Sequence, residues 1–290
     1  KPTWHELEVS LLDHVDSHFG HAGDIAPRSW YQSMTDNEVN QMSVSAGENR
    51  HTAALGMVGL TPTEDEVTRI SSTVVAGSFF ERADERTCLL PEEIADALGI
   101  SAADVGDVSV RILGSELLVR GIVDAILVDE LTDLDGGTLM PVDSQLSAFV
   151  ELETDYDELR EVESEAALRS FIHTSAAEIV IVPYEVSRGF GGRPRSIGIS
   201  FHPGTLGQGL IEDFLSRVST GLYAGLSVDG ASQPEVYHYR SFGLGSVEGM
   251  GSLLVPVLIA SFIILNTMLG AVYERFREIG IYSSVGLAPR

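Results

Sequence analysis

His14, His18 and His21 lie within a few residues of Asp13, Asp16 and Asp24. On a helix His14 and His18 share one face at i, i+4, a spacing that can chelate zinc or copper. The glutamate of a zinc-protease HExxH motif is missing, because position 15 is Val, so a solvated helix face is the favoured reading and the metal role the weaker one. Asp133-Leu134-Asp135-Gly136 has the middle of a calcium loop. Its first and twelfth ligands would be Leu131 and Val142, which cannot ligate, so the run reads as an acidic surface turn. Gly225-Leu226-Ser227-Val228-Asp229 misses a nucleophile elbow at its last position, where Asp replaces Gly. Gly189–Arg195 (GFGGRPR) offers two arginines to an anion, but flexible glycines make an exposed connector the simpler reading.

Two counts narrow the chemistry further. Lys1 is the only lysine, so no P-loop, kinase or Schiff-base lysine is present and the chain cannot hydrolyse ATP in those ways. Cys88 is the only cysteine, which removes internal disulfides, Cys-rich zinc sites and CxxC redox pairs. In TCLLP it reads as a small core residue. The chain therefore reads as a non-enzyme with no catalytic residue and no cofactor of its own.

The elements follow from pattern. Leu7, Leu11, Leu12 and Val15 give helical spacing over Leu7–Phe19. Gln41–Ala46 and His51–Leu60 read as strands around a Gly47-Glu48-Asn49 turn, and Thr63 with Glu66 fits a capping box. Thr87–Leu90 is an apolar strand, and Pro91–Leu98 is a short helix closed by Gly99. Val108–Leu113 and Glu116–Val123 form a hairpin about Gly114-Ser115. Asp129–Asp143 is an acidic loop, Ser147–Ser170 favours helix, Glu178–Val186 is a strand and Ser187–Arg195 a loop. Ser196–Phe201, Gly207–Thr220, Leu222–Val228 and Glu235–Phe242 then give strand, helix, strand and strand. Such an order implies an α+β fold with helices on one sheet face.

Near the C-terminus Gly249–Val272 runs for 24 residues without a charge. At about 1.5 Å per helical residue it can span a hydrocarbon core of about 30 Å. Gly243, Gly245, Gly249 and Gly251 loosen the approach to it. Pro256 removes a backbone hydrogen bond, and Asn266 and Thr267 suit packing against another helix more than an ion path. A bundle therefore explains these residues better than a solitary anchor. Beyond it, Glu274–Val285 is polar on one side and carries Phe276, Ile279 and Ile281 on the other, with Gly286 as its stop. Such an element can lie in the interface or dock on a cytoplasmic partner.

Charge gives the orientation. Of the chain's 18 Lys and Arg and 43 Asp and Glu, only three arginines and two glutamates fall after residue 248, so the upstream part is strongly acidic. Arg275 and Arg277 put the tail in the cytoplasm and the acidic bulk outside. A surface this negative repels phosphate backbones, so nucleic acid is excluded as a partner; solubility or adaptation to salt explains the acidity best. The chain opens at Lys1 with no Met and no signal peptide, which reads as a piece of a longer protein with an earlier membrane segment.

Asn266-Thr267-Met268, Glu274-Arg275, Arg277-Glu278-Ile279-Gly280-Ile281 and Val285-Gly286 resemble the signature after the second transmembrane helix of FtsX-like permeases, the membrane subunits of MacB/LolCDE-type ABC transporters. Gly59-Leu60-Thr61-Pro62, Val75–Phe80, Leu89–Gly99 and Val108–Val123 follow the order of the MacB-like periplasmic core domain. Tyr282-Ser283-Ser284 departs from the pattern, where relatives often carry a basic residue and alanine.

The resemblance implies a two-lobed α+β extracytoplasmic domain of small mixed sheets over residues 1–246, with roughly 49–170 inserted as one lobe. A transmembrane helix follows at 247–273, then a truncated cytoplasmic coupling segment at 274–290. Arg277, Glu278, Ile279, Gly280 and Gly286 would contact a cytoplasmic P-loop ATPase that holds the ATP and Mg, while Pro256, Asn266 and Thr267 pack in the membrane. Implied partners are a second permease copy as homo- or heterodimer, membrane lipid and an envelope partner protein. The whole protein would be multi-pass in the cell membrane. The competing reading is a single-pass sensor or adhesion ectodomain with a short signalling tail; a third is a tethered metalloenzyme using the three histidines.

Overall fold

The computed structural model describes residues 7–35, 38–142, 173–226, 235–241 and 250–284. The chain divides into two units, Lys1–Tyr239 and Arg240–Arg290.

Helix α1 (Val9–Phe19) opens the first unit. The strands are β1 (Gly23–Tyr31), β2 (Ser33–Thr35), β3 (Glu38–Asn40), β4 (Met42–Ala46), β5 (Arg50–Ala54) and β6 (Gly56–Leu60), then β7 (Val74–Gly77), β8 (Thr87–Pro91), β9 (Ser109–Ile112) and β10 (Ser115–Val123). After residue 172 come β11 (Ile179–Pro183), β12 (Arg193–Phe201), β13 (Gly221–Leu226) and β14 (Glu235–Arg240). Short helices punctuate them: α2 (Glu64–Thr68), α3 (Glu92–Ala97), α4 (Ala125–Glu130), α5 (Tyr184–Gly189) and the longer α6 (Gly207–Arg217).

Ten strands join one mixed sheet in the order β12-β1-β6-β11-β8-β10-β9-β4-β5, with β7 added on β10. The pairs β11–β6 and β10–β8 are parallel, whereas β1–β12, β10–β9 and β4–β5 are antiparallel. Strands β13 and β14 form a separate pair, as do β2 and β3. The fold is thus α+β around a curled sheet.

The inner strands show why. Every residue of β6, β8 and β11 is buried, so they read as unbroken apolar runs covered on both faces. The pleat then sorts the side chains. Met57, Leu90, Val180 and Val182 enter one core cluster with α3; Val58, Leu60, Leu89, Ile179 and Ile181 enter another with α4. Complete burial of each Leu or Ile stabilises by about 1.5–3 kcal/mol. A third cluster covers the β12/β1 end, where Val15 and Phe19, one turn apart on α1, meet Ile211 and Phe214 of α6. The Phe19 and Phe214 rings lie 5.0 Å apart at a tilt.

The hairpin expected about Gly114 forms with Leu113 and Gly114 both at positive φ, 49° and 81°, the geometry of a type I′ turn. Three expectations change. The run His51–Leu60 breaks at Leu55, because β5 pairs with β4 while β6 pairs with β1 and β11. The run from Glu178 turns from strand to helix after Pro183, so Tyr184 and Val186 lie in α5 and Arg193 and Arg195 belong to β12 instead of a loop. Thr63 does precede α2 but makes no side-chain cap; its hydroxyl donates to the Ile25 carbonyl at 2.7 Å, which ties α2 to β1. The lobe boundary placed at Asn49 falls in the β4–β5 turn, and the one at Ser170, with the helix expected over Ser147–Ser170, lies outside the described residues.

Candidate functional site: the C-terminal helix

In the second unit, α7 (Met250–Ser284) runs for 35 residues as one helix. Its length at about 1.5 Å per residue is roughly 52 Å, against about 30 Å of hydrocarbon. Among the described residues, Ile259–Ile281 is the stretch long and apolar enough to cross a membrane, and none of it is buried. Residues 259–273 carry no charge, and an unburied apolar helix of this kind fits a lipid-exposed span by length and composition.

Each residue expected to act here has a definite place. Pro256 lies inside the helical backbone of α7. Thr267 donates its hydroxyl to the Ile263 carbonyl one turn back at 2.8 Å, which satisfies it internally where water is lacking. Asn266 is exposed on the helix surface. No break separates the apolar run from the segment beyond Tyr273. Glu274, Arg275, Arg277 and Glu278 are tolerant helix residues, and no proline intervenes between Asn266 and Ser284. Arg277, Glu278, Ile279 and Gly280 therefore extend the same helix, and Phe276 and Ile279 are exposed on it. A Cβ built at Gly280 or Gly270 would meet nothing within 4 Å. Both glycines leave shallow places where another backbone can come close. Gly286 lies outside the described residues.

The sheet unit holds the other candidates apart. His14 Nδ1 faces the Ser10 carbonyl at 2.7 Å, while His18 Nε2 faces the Leu210 carbonyl at 3.0 Å and its Nδ1 sits 3.9 Å from Asp213. These two rings address different backbone groups, and His21 is exposed. Among the described residues, no three side chains of metal-ligating type converge. Cys88 is sealed in the core, where burial pushes its thiol well up and makes a thiolate inaccessible.

The sequence did not reveal a buried ionic hub. Arg28 of β1 is 1% exposed and Glu64 of α2 is 0% exposed. Arg28 Nε and Nη2 donate to the two Glu64 carboxylate oxygens at 2.8 and 3.0 Å, and Nη1 donates to Asp133. The pair is a bidentate fork, the arrangement guanidinium makes with carboxylate. Burial raises the Glu64 carboxyl above its usual range, against the pull of Arg28 and the Thr68 hydroxyl. Burial opposes the charge on Arg28 as well, but Glu64 and Asp133 outweigh it and hold the guanidinium protonated. Beside the hub, Trp30 Nε1 donates to the Leu139 carbonyl at 3.0 Å, and Arg195 lies 5.5 Å over its ring. Asp133 thus serves as an anchor, and the acidic loop is pinned to the sheet at two points. The partners stand 36 and 105 residues from Arg28, beyond any local pattern.

The sequence matches no protein-family model and no curated protein. Among solved structures it is similar to the extracellular domain of the noncanonic ABC-type transporter YknZ from Gram-positive bacteria, at 11% identity and a TM-score of 0.40, covering 72% of this chain and 78% of that one. It is also similar to the periplasmic region of MacB from Actinobacillus actinomycetemcomitans, at 9% identity and a TM-score of 0.43, covering 79% of this chain and 78% of that one.

Proposed function

We propose that the chain is part of the membrane subunit of an FtsX/MacB-type ABC transporter. In this reading α7 carries ATP-driven motion from a cytoplasmic ATPase to the sheet domain outside, where the motion exports, extracts or activates an envelope substrate. The carrying observation is the unbroken helix that joins the apolar run to Glu274-Arg275-Phe276-Arg277-Glu278-Ile279-Gly280-Ile281. From Ile259 to Ser284 the helix contains no proline, so its hydrogen-bond ladder is complete there and displacement passes along that stretch with little loss. Arg277 and Glu278 supply charges that fix register on a partner surface more than affinity, and Gly280 permits close approach.

The ATPase partner carries the P-loop, ATP and Mg, in keeping with a chain whose only lysine is Lys1. A second permease copy, lipid and an envelope protein complete the assembly, in a protein that is multi-pass in the cell membrane. Glu278→Lys reverses a contact charge, and Gly280→Leu fills the close approach. With the full protein reconstituted beside its ATPase, both changes abolish stimulated turnover and leave the thermal unfolding of the outer domain unchanged. Normal stimulated turnover in both variants overturns the proposal.

A further inference from the structure

The sheet domain carries its negative charge in a way that ordinary salt cannot screen. Exposed Glu92, Glu93 and Asp96 crowd one side of α3, and Asp13 and Asp16 do the same on α1. Side chains three or four apart on a helix have Cβ atoms about 5–6 Å from each other, and like charges there repel. The Debye length is about 8 Å at physiological ionic strength and about 3 Å at 1 M. These pairs therefore sit inside the screening distance in ordinary buffer and outside it in molar salt.

Several of the basic side chains are already committed elsewhere. Arg28 is held by Glu64 and Asp133, Arg120 by Glu81 and Glu85, Arg82 by Asp84, Arg111 by Glu116 and Arg217 by Asp213. Arg50, the arginine next to α3, gives its guanidinium to the Ala46, Leu98 and Gly99 carbonyls. A second observation agrees: with one lysine in 290 residues, positive charge is confined to arginines, while the net charge is −25. Net charge of this size works against compactness through self-repulsion.

We infer that the domain reaches full stability only in a medium of near-molar ionic strength, so that salt decides whether the outward part is fully folded. The inference concerns folding conditions and stands apart from the transport reading, since no ATPase enters its test. The full chain in a nanodisc of neutral lipid is unfolded thermally and followed by tryptophan fluorescence, in about 0.1 M and about 2 M KCl. The midpoint rises by about 10 °C or more, and NaCl gives the same rise at equal ionic strength. The double variant Asp13→Asn, Asp16→Asn, at positions beyond the first turn of α1, raises the midpoint in low salt and leaves it unchanged in high salt. A midpoint insensitive to salt, or a variant whose shift is the same at both concentrations, overturns the inference.

Discussion

Replacing Arg28 by Met tests the buried hub. The change leaves Glu64, fully buried, without a counter-charge, and removes the anchor of Asp133. Breaking a buried ion pair from one side costs about 3–5 kcal/mol. For a domain of this size each kcal/mol lowers the midpoint by about 2–4 °C, so the drop is about 6–20 °C. The double variant Arg28→Met, Glu64→Leu removes the orphan charge and fills the space with apolar volume, and it regains most of the loss. The assay is thermal unfolding of the full chain in about 2 M KCl, where surface charge is screened and the buried pair is not. A pH series gives a second reading. Glu64 already titrates above its ordinary range through burial, and without Arg28 it moves higher still. The penalty on the single variant is therefore largest above the folded midpoint of Glu64. It shrinks as pH falls through that midpoint and is gone below the unfolded value near 4.5. If the losses of Arg28→Met and Glu64→Leu alone add up in the double variant within about 0.5 kcal/mol, the reasoning is refuted, as it is by a deficit that ignores pH.

Two further outcomes rest on packing. Gly59→Ala destabilises by about 1–3 kcal/mol, because its Cβ would come within 2.3 Å of Ser29 Oγ and 2.4 Å of Ser187 Cβ; denaturant unfolding reads the loss. Cys88 stays unmodified by an aromatic disulfide reagent in the native chain and reacts fully once the chain is unfolded, as absorbance of the released thiolate shows.

Elements set by short-range chemistry are legible in the sequence alone. The hairpin about Gly114, the Gly99 stop and the apolar face of α1 each depend on neighbours a few residues away, although the turn falls at Leu113-Gly114, one residue before the expected Gly114-Ser115. Pairing across the sheet is not. Leu55 carries no turn signal of its own, and the strand breaks there because its two halves find different partners. The Thr63 hydroxyl could not be assigned to Ile25 without knowing that α2 crosses β1. The same holds for Arg28, since an arginine in a strand looks exposed until two distant carboxylates arrive over it. At the candidate site, the sequence showed the apolar run and the charged motif, while their union into one uninterrupted rod emerged only with the backbone.

That rod has an angular meaning as well as a length. Successive residues in an α-helix step by about 100° around the axis, so α7 fixes the azimuth of Arg277 and Glu278 against that of Asn266. One residue added anywhere between them would swing the charged pair about a quarter-turn away from whatever it faces. Four added residues would bring it back to within about 40°, one turn farther out. The spacing between the amide and the charges is therefore a phase, and the helix preserves it along its length.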